Sequence, residues 1–224
     1  DQPALICEHV DWARACGFKV VAAGKGTRFK RAEQKPDDHK LAQGLGPYSV
    51  LGTTLRHAIA SQLPVVVVAS APIAELARRS IASRDVIVLP EVGTPGQESL
   101  GMGYSIAMGV MARADAGGWL VLPGDMPLVR PSSIVAVARE LTQHPVVCAQ
   151  YKGRRGHPVG FAAELYSELA VLSGDDGARR VVSRYPALGL ELDDPGVLVD
   201  IDTEEDLEQL RGSLETAPMP LSDS

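Results

Sequence analysis

Short apolar segments of strand length alternate along this chain with segments of helical spacing, and this alternation limits the possible folds more than any other feature. The apolar segments are residues 19–23, 64–69, 85–89, 119–122 and 146–150. The segments of helical spacing between them are residues 53–61, 73–83, 105–114 and 132–141. Strands that alternate with helices build βαβ units with right-handed crossovers. The sequence therefore predicts an α/β domain with a mostly parallel sheet.

Length and composition fit a single domain of this kind. The chain has 224 residues, of which 45% are hydrophobic and only 4% aromatic, so Val, Leu, Ile and Ala must build the core. Such residues suit a parallel sheet that is covered on both faces. We expect an added helical segment over residues 1–18, the domain itself over residues 19–214, and a flexible tail over residues 215–224.

Charge and cysteine usage exclude several classes of protein. With 22 basic and 28 acidic residues the net charge is −6, which argues against a nucleic-acid partner. The three cysteines are odd in number and form no CxxC pair, so reduced thiols in the cytoplasm are expected. No apolar run approaches the roughly 18–20 residues that cross a bilayer, and the first residues lack the order of a signal peptide. We expect a cytoplasmic protein without a membrane partner.

A glycine-containing loop follows the first predicted strand, where ligands of open α/β sheets bind. Its backbone N–H groups can hold phosphate oxygens, and its two cations, Lys25 and Arg28, add positive charge. The loop lacks the third glycine of a dinucleotide-binding fingerprint and the GKS or GKT of a Walker loop. By itself it is equally consistent with a plain tight turn.

One lysine and three aspartates are further candidates. Lys40 follows a polar segment and can fold over a bound triphosphate, although a solvated loop lysine is the commoner case. Asp125 lies after the fourth strand in the segment Pro123-Gly124-Asp125-Met126-Pro127, where a single carboxylate can bind Mg²⁺ beside substrate phosphates. Asp200 and Asp202 would share one side if their segment is a strand, or Asp202 caps the last helix.

Three more glycine-rich loops are ambiguous when taken singly. Residues 101–105 open a helix, whose first N–H groups make an anion site that includes Ser105. Residues 154–158 are expected to form a turn with two arginines and a histidine. Residues 172–179 are expected to form a loop that leads into a short helix.

Seven segments in one collinear order resemble the MobA-like nucleotidyltransferase family, most closely its molybdenum cofactor cytidylyltransferase branch. The segments are AAGKGTRF, HKL, GMGYSIAMGV, LPGDMPLV, RGHPVGF, LSGDDGAR and DIDTEEDL. The resemblance implies a Rossmann-like, three-layer α/β/α nucleotidyltransferase fold. It also implies Mg²⁺-dependent transfer of CMP from CTP to the phosphate of a molybdopterin-type acceptor. A molybdoenzyme or its chaperone is a further partner that the resemblance allows.

The resemblance also assigns roles to residues. Catalytic roles fall to Arg28, Lys40 and Asp125, and metal ligation to Asp125, Asp202 and Asp200. The implied nucleotide-binding residues are Ala22, Ala23, Gly24, Lys25, Gly26, Thr27, Arg28, Lys40, Ser105, Pro123 and Gly124. The implied acceptor-binding residues are Arg155, Gly156, His157, Pro158, Gly174, Asp175, Gly177 and Ala178. In the relatives that use GTP the first loop reads AGG, so Ala22-Ala23-Gly24 favours CTP.

Other functions remain open at this stage. One is a guanylyltransferase, or a sugar-phosphate or alcohol-phosphate nucleotidyltransferase, of the same superfamily. A second is a nicotinamide-dependent dehydrogenase, which the missing third glycine opposes. The third is a non-catalytic module that binds a nucleotide without turnover.

Overall fold

The structure is a computed structural model. It describes the backbone of residues 18–23, residues 39–90 and residues 101–213 with their side chains, and the helical backbone up to Thr216. The strands are β1 (Phe18–Ala23), β2 (Gly44–Leu45), β3 (Tyr48–Ser49), β4 (Val65–Ala69), β5 (Val86–Val88), β6 (Gly118–Pro123), β7 (Val146–Tyr151), β8 (Arg154–Ala162) and β9 (Ala187–Glu191). The α-helices are α1 (Val50–Ala60), α2 (Ala71–Ala77), α3 (Gly101–Met111), α4 (Pro131–Glu140), α5 (Tyr166–Leu169), α6 (Arg179–Arg184) and α7 (Glu204–Thr216).

Within these ranges the main sheet has seven strands in the order β5-β4-β1-β6-β8-β7-β9. Strands β5, β4, β1 and β6 pair in parallel, as do β7 and β9. Only β8 runs antiparallel to its two neighbours among the described strands. The predicted α/β fold with a mostly parallel sheet is confirmed. The small hairpin of β2 and β3 lies apart from this sheet.

Helices cover both faces of the sheet, which gives the molecule three layers. Val65 and Val67 of β4 belong to the apolar cluster formed with α1, α2, α4 and α7. Val66 and Val68 belong to the opposite cluster, formed with α3, α5 and α6. Successive strand residues thus point to opposite faces, and each face is buried. None of the helices described has the length and apolar character needed to cross a bilayer.

Several expectations from the sequence need correction. The segment at residues 154–158 is not a turn but the beginning of strand β8. The turn lies just before it, where Lys152 and Gly153 adopt positive φ angles of 48° and 76°. Strand β9 was not predicted, and α2 ends at Ala77 rather than at residue 83. Helix α7 extends to Thr216, slightly into the predicted tail. The helix predicted within residues 1–18 lies outside the described residues.

Candidate active site at the carboxyl ends of the central strands

A buried lysine forms the centre of the candidate site. Lys40 is only 4% exposed, and its Nζ donates to Asp125 Oδ2 at 2.7 Å and to Asp202 Oδ1 at 3.0 Å. Burial disfavours the charged ammonium, but Coulombic attraction and hydrogen bonds from Asp125, together with those from Asp202, outweigh it and raise the pKa of Lys40. The solvated loop lysine considered from the sequence is therefore wrong. Lys40 is a charged residue within an acidic cluster.

Local structure holds the backbone of Lys40 firmly. The residue begins a 3-10 turn, Lys40–Ala42, whose N-terminus is capped by His39: its Nδ1 accepts from Leu41 N at 3.2 Å. Leu41 is 1% exposed and packs into the core. Burial lowers the pKa of His39, and the neighbouring Lys40 ammonium lowers it further. A neutral imidazole suits a ring nitrogen that accepts a hydrogen bond.

Asp125 lies two residues beyond the end of β6, and helix α1 holds the residue before it in place. Thr54 of α1 donates its hydroxyl to the carbonyl of Gly124 at 3.0 Å. A side chain at Gly124 would approach Leu51 Cδ1 to 3.1 Å, so this close packing suits glycine. The carbonyl of Asp125 in turn accepts from Ile201 N at 2.9 Å. This hydrogen bond connects the two segments that carry the carboxylates.

The segment bearing Asp200 and Asp202 is not a strand, contrary to the condition considered from the sequence. It follows the 3-10 turn Pro195–Leu198 and leads into α7. Thr203 and Asp206 cap α7 reciprocally, with Asp206 N donating to Thr203 Oγ1 at 3.1 Å and Thr203 N to Asp206 Oδ2 at 2.8 Å. Asp202 Oδ1 accepts from Lys40 instead. Its carboxylate thus faces the site, as the metal-ligand interpretation requires.

Asp200 lines the same cleft, but no hydrogen bond or ion pair joins its carboxylate to Lys40.

 Burial, followed by the Asp202 carboxylate and then the more distant Asp125, raises the pKa of Asp200. Two carboxylates therefore contact the ammonium and a third lies near them, and this local excess of negative charge favours an additional cation.

The donor set fits a divalent cation that keeps water and substrate oxygens in its shell. Within residues 39–90 and 101–213, no group of three or more His, Cys, Asp or Glu side chains is arranged to hold a metal ion. Two carboxylates, those of Asp125 and Asp202, nevertheless converge on a single cationic atom. Mg²⁺ is commonly held by one or two carboxylates together with water and phosphate oxygens. The carboxylates would supply part of such a shell, and the substrate the rest.

A cleft of about 820 Å³ extends from this acidic cluster. Its lining also includes three guanidinium groups, those of Arg154, Arg155 and Arg179, together with the carboxylates of Asp175 and Asp176. Among the described residues no carboxylate pairs with Arg154 or Arg179, whereas Arg155 donates to the carbonyl of Ala187 at 3.2 Å. Apolar side chains line the cleft as well: Met102, Ile106, Val121, Val159, Phe161 and Val182. The cleft can therefore hold an anionic ligand with an apolar or planar body.

His157 lies in the cleft wall, on β8, and is partly buried. Burial lowers its pKa to about 4, with Asp125 opposing and Arg179 reinforcing the shift. The imidazole is therefore neutral at pH 7 and can both donate and accept a hydrogen bond. The peptide bond between His157 and Pro158 is cis.

The structure brings most of the predicted acceptor residues together. Those that line the cleft are Arg155, Gly156, His157, Asp175, Gly177 and Ala178. Pro158 is buried within β8 and does not line it. Gly174 is also absent from the lining, and its carbonyl accepts from Gly103 N at 2.9 Å. That hydrogen bond joins the loop before α6 to the first turn of α3.

Only some of the predicted nucleotide-binding residues are among those that the structure describes. Gly24, Lys25, Gly26, Thr27 and Arg28 lie outside the described residues. The backbone of Ala22 and Ala23 is described, and these residues pair with Leu122 and Pro123 of β6. Strand β1 therefore ends beside the end of β6, the strand that precedes the loop carrying Asp125. Pro123 lines the cleft, whereas Gly124 is packed beneath it.

Ser105 does not reach the cleft. It is 1% exposed, and its hydroxyl points back along α3 to the carbonyl of Gly101 at 3.4 Å. The N-terminus of α3 is also covered, because Gly103 N donates to Gly174 and a side chain at Gly101 would lie 2.0 Å from Gly174. One of the N–H groups expected to form an anion site is therefore used within the protein, and the rest of that site stays a prediction. The role of Ser105 in nucleotide binding therefore finds no support from the geometry.

The cleft residues that sequence reasoning missed include Arg154, Arg179 and the buried thiol of Cys148. Both arginines stand in segments that were singled out, but nothing in a single sequence shows which of several arginines faces inward. Burial raises the pKa of Cys148, and Arg155 opposes the shift. Cys148 is thus a neutral thiol in the cleft wall at pH 7.

Comparisons with known proteins agree with this geometry. Purine catabolism protein PucB of Bacillus subtilis (strain 168) is 27% identical over 210 residues, which cover 87% of this chain and 95% of PucB. Rv0371c of Mycobacterium tuberculosis H37Rv, solved in complex with manganese, shares the fold with a TM-score of 0.69 and 23% identity, over 88% of this chain and 99% of that one. Molybdopterin-guanine dinucleotide biosynthesis protein A from Archaeoglobus fulgidus shares it with a TM-score of 0.62 and 16% identity, over 88% and 98%.

The fold is that of a nucleotidyltransferase. Residues 19–188, well over half of the chain, match the family described as the MobA-like NTP transferase domain. The chain belongs to this family.

Proposed function

We propose that this enzyme transfers CMP from CTP to the phosphate of a molybdopterin-type acceptor and releases pyrophosphate, with Mg²⁺ as cofactor. The observation that carries the proposal is the convergence of Asp125 and Asp202 on Lys40 at the carboxyl ends of the central strands. This is where an open α/β sheet binds its ligand. A buried cation beside two carboxylates suits a site that handles a metal–triphosphate.

The reaction needs positioning and charge neutralisation more than covalent help from the protein. An oxygen of the acceptor phosphate attacks the α-phosphorus of the nucleotide, and the bond to the leaving pyrophosphate breaks. A phosphate acceptor is already ionised at neutral pH, so no general base is required. Mg²⁺ would supply charge neutralisation at the phosphates. Lys40 and Arg28 are proposed to hold the departing pyrophosphate.

The arginines that line the cleft support an anionic acceptor. Arg154 and Arg179 are free of carboxylate partners among the described residues and can bind phosphate oxygens. The neutral imidazole of His157 lies beside them and can hydrogen-bond a phosphate or a ring nitrogen. The apolar walls suit the planar body of a pterin. The protein from Archaeoglobus fulgidus, named for molybdopterin-guanine dinucleotide biosynthesis, is consistent with an acceptor of this class.

GTP is the second candidate nucleotide, because that relative is named for the guanine dinucleotide. The pair Ala22-Ala23 at the end of β1 favours CTP through its resemblance to the cytidylyltransferase branch. A cytoplasmic location and delivery of the product to a molybdoenzyme or its chaperone are further parts of this proposal.

The test is pyrophosphate release from purified protein supplied with Mg²⁺, a molybdopterin-type acceptor and either CTP or GTP. We expect release with CTP, and a loss of about 100-fold or more in Asp125→Asn, because a carboxylate in the metal–phosphate site is removed. Asp115→Asn, at an exposed loop position outside the cleft, is the matched control and should retain wild-type activity. Pyrophosphate release with GTP but not with CTP would show that GTP, rather than CTP, is the nucleotide substrate. Nucleotide binding without release would contradict the proposed acceptor.

A further inference from the structure

The Lys40 ammonium lies where the carboxylates of Asp125 and Asp202 converge. Its Nζ is 2.7 Å from one carboxylate oxygen and 3.0 Å from the other. The lysine side chain is 5% exposed, while those of Asp125 and Asp202 are 16% and 35% exposed. The ammonium is thus enclosed, and the carboxylates that surround it are open to the cleft. In this arrangement the lysine supplies the positive charge that the acidic cluster requires.

A divalent cation bound by the same carboxylates would lie very close to this ammonium. Mg²⁺ sits about 2.0–2.1 Å from its oxygen ligands, which would leave the two cations separated by only a few ångströms. Their repulsion is strong in a partly buried site, where water screens charges poorly. The two cations therefore compete for one pair of carboxylates.

We propose that Lys40 occupies the cation position of the metal-free site, and that it must leave this position when the metal binds. The lysine would then turn to the phosphates of the nucleotide, which offer it a new anionic partner. Metal and nucleoside triphosphate would therefore bind cooperatively, through exchange of the ion-pair partners of one side chain. The competition between Lys40 and the metal does not depend on the proposed acceptor. Only the contact of Lys40 with the nucleotide phosphates rests on the proposed function.

The surrounding structure allows the side chain to move while its backbone stays in place. The carbonyl of Lys40 accepts from Gln43 N at 3.3 Å, and the adjacent Leu41 is buried in the core. The lysine side chain has four rotatable bonds and carries its charge at the end, so rotamer changes alone can redirect the ammonium. The cleft that all three charged residues line provides the space.

The first test measures Mn²⁺ binding by electron paramagnetic resonance, without nucleotide or acceptor, in the wild-type protein and in Lys40→Met. Removal of the competing ammonium should tighten Mn²⁺ binding about tenfold or more. Lys152→Met removes an exposed lysine at the β7–β8 turn, and it should leave Mn²⁺ affinity unchanged. Mn²⁺ binding in Lys40→Met that is no tighter than in the wild type would overturn the proposal. If Lys40→Met fails to fold, Lys40→Gln replaces it with the same expectation.

The second test measures binding of the Mn²⁺–CTP complex to the same proteins by calorimetry. Lys40→Met should bind this complex more weakly than the wild type, about tenfold, because the partner of the phosphates is lost. The expected signature is thus opposite for metal alone and for metal with nucleotide. A lysine with a merely structural role would weaken both, and that result contradicts the exchange. Neither measurement includes an acceptor, so an error in the proposed acceptor leaves both outcomes unaffected.

Discussion

The protonation state of His157 can be read from the pH dependence of stability. In the folded chain its pKa is about 4, against an ordinary value of 6.5, mainly because burial disfavours the imidazolium. Between these two values the unfolded chain binds more protons than the folded chain. Stability is therefore fully present above about pH 6.5 and decreases as the pH falls towards 4, by up to about 1.4 kcal/mol per pH unit.

His157→Gln should remove the contribution of His157, since glutamine does not titrate, and leave the contribution of His39, whose pKa is also lowered. Urea unfolding at about pH 5 and about pH 7 checks the expectation, with the wild type losing more stability than the variant at the lower pH. His144→Gln, which changes a histidine outside the cleft, should preserve the wild-type dependence. An identical loss of stability in His157→Gln and in the wild type would assign the dependence to other groups.

Asp194 is a buried carboxylate with a structural role. It is 2% exposed and accepts from Arg130 N at 2.9 Å, Ser133 Oγ at 2.6 Å and Gly196 N at 3.0 Å. Asp194→Ala would leave these buried donors without their acceptor, so we expect a loss of about 2–4 kcal/mol in the free energy of unfolding. Ser133→Ala removes one donor and should cost less. Equal stability of wild type and Asp194→Ala in urea unfolding would contradict this assignment.

At the scale of elements, the predicted strands agree closely with the observed ones where the apolar run is continuous. Strand β4, predicted over residues 64–69, is observed as Val65–Ala69, and β7 is observed as Val146–Tyr151. Strand β8 escaped prediction because its first residues are Arg, Gly, His and Pro, which are typical of turns. It forms because the Lys152-Gly153 turn folds β8 back onto β7, and the other edge of β8 then pairs with β6. That tertiary pairing is not encoded in local propensity.

The packing of β8 against the turn Pro195–Leu198 depends on a glycine. A Cβ at Gly156 would lie 1.9 Å from the carbonyl oxygen of Val197, so the two elements must separate in Gly156→Ala. We expect a loss of about 1–3 kcal/mol in stability and weaker substrate binding, because this turn leads directly to Asp200 and Asp202. Gly44→Ala is the matched control, since a Cβ there meets nothing within 4 Å. The test measures the Tm and the Mn²⁺–CTP affinity of both variants. Equal Tm values and equal affinities in Gly156→Ala and Gly44→Ala would contradict the proposed close packing at Gly156.

At the scale of the whole molecule, the site is assembled from residues that are far apart in sequence. Lys40 and Asp202 are separated by 162 positions, yet their side chains are hydrogen-bonded. The sequence identified both as candidates because each follows a recognisable motif, and the order of the strands explains why they meet. The sequence did not show that Lys40 pairs with the carboxylates, because the ion-pair partner of a long side chain depends on the three-dimensional arrangement of the folded chain. The direct contacts of Asp125 and Asp202 with Lys40 are therefore known only from the structure.

The same assembly predicts how ligands affect global stability. A ligand that binds only the folded chain stabilises it by RT ln(1 + [L]/Kd), about 2.7 kcal/mol at a hundredfold excess over Kd. For a chain of this size such a gain raises Tm by roughly 5–10 °C. We expect this rise with Mg²⁺ and CTP together, and a much smaller one with either alone, because a metal that displaces Lys40 from the carboxylates leaves the ammonium in need of the phosphates as its new partner.

Thermal unfolding of the wild type, Asp125→Asn and Asp115→Asn measures this coupling. Asp125→Asn removes half of the convergent carboxylate pair, so the joint effect of Mg²⁺ and CTP should fall to the sum of their separate effects. Asp115→Asn makes the same chemical change at an exposed position outside the cleft and should keep the wild-type rise. If Mg²⁺ alone raised Tm as much as the two ligands together, the metal would bind independently of the nucleotide. The acidic cluster would then be a complete metal site, and the substrate would contribute nothing to its formation.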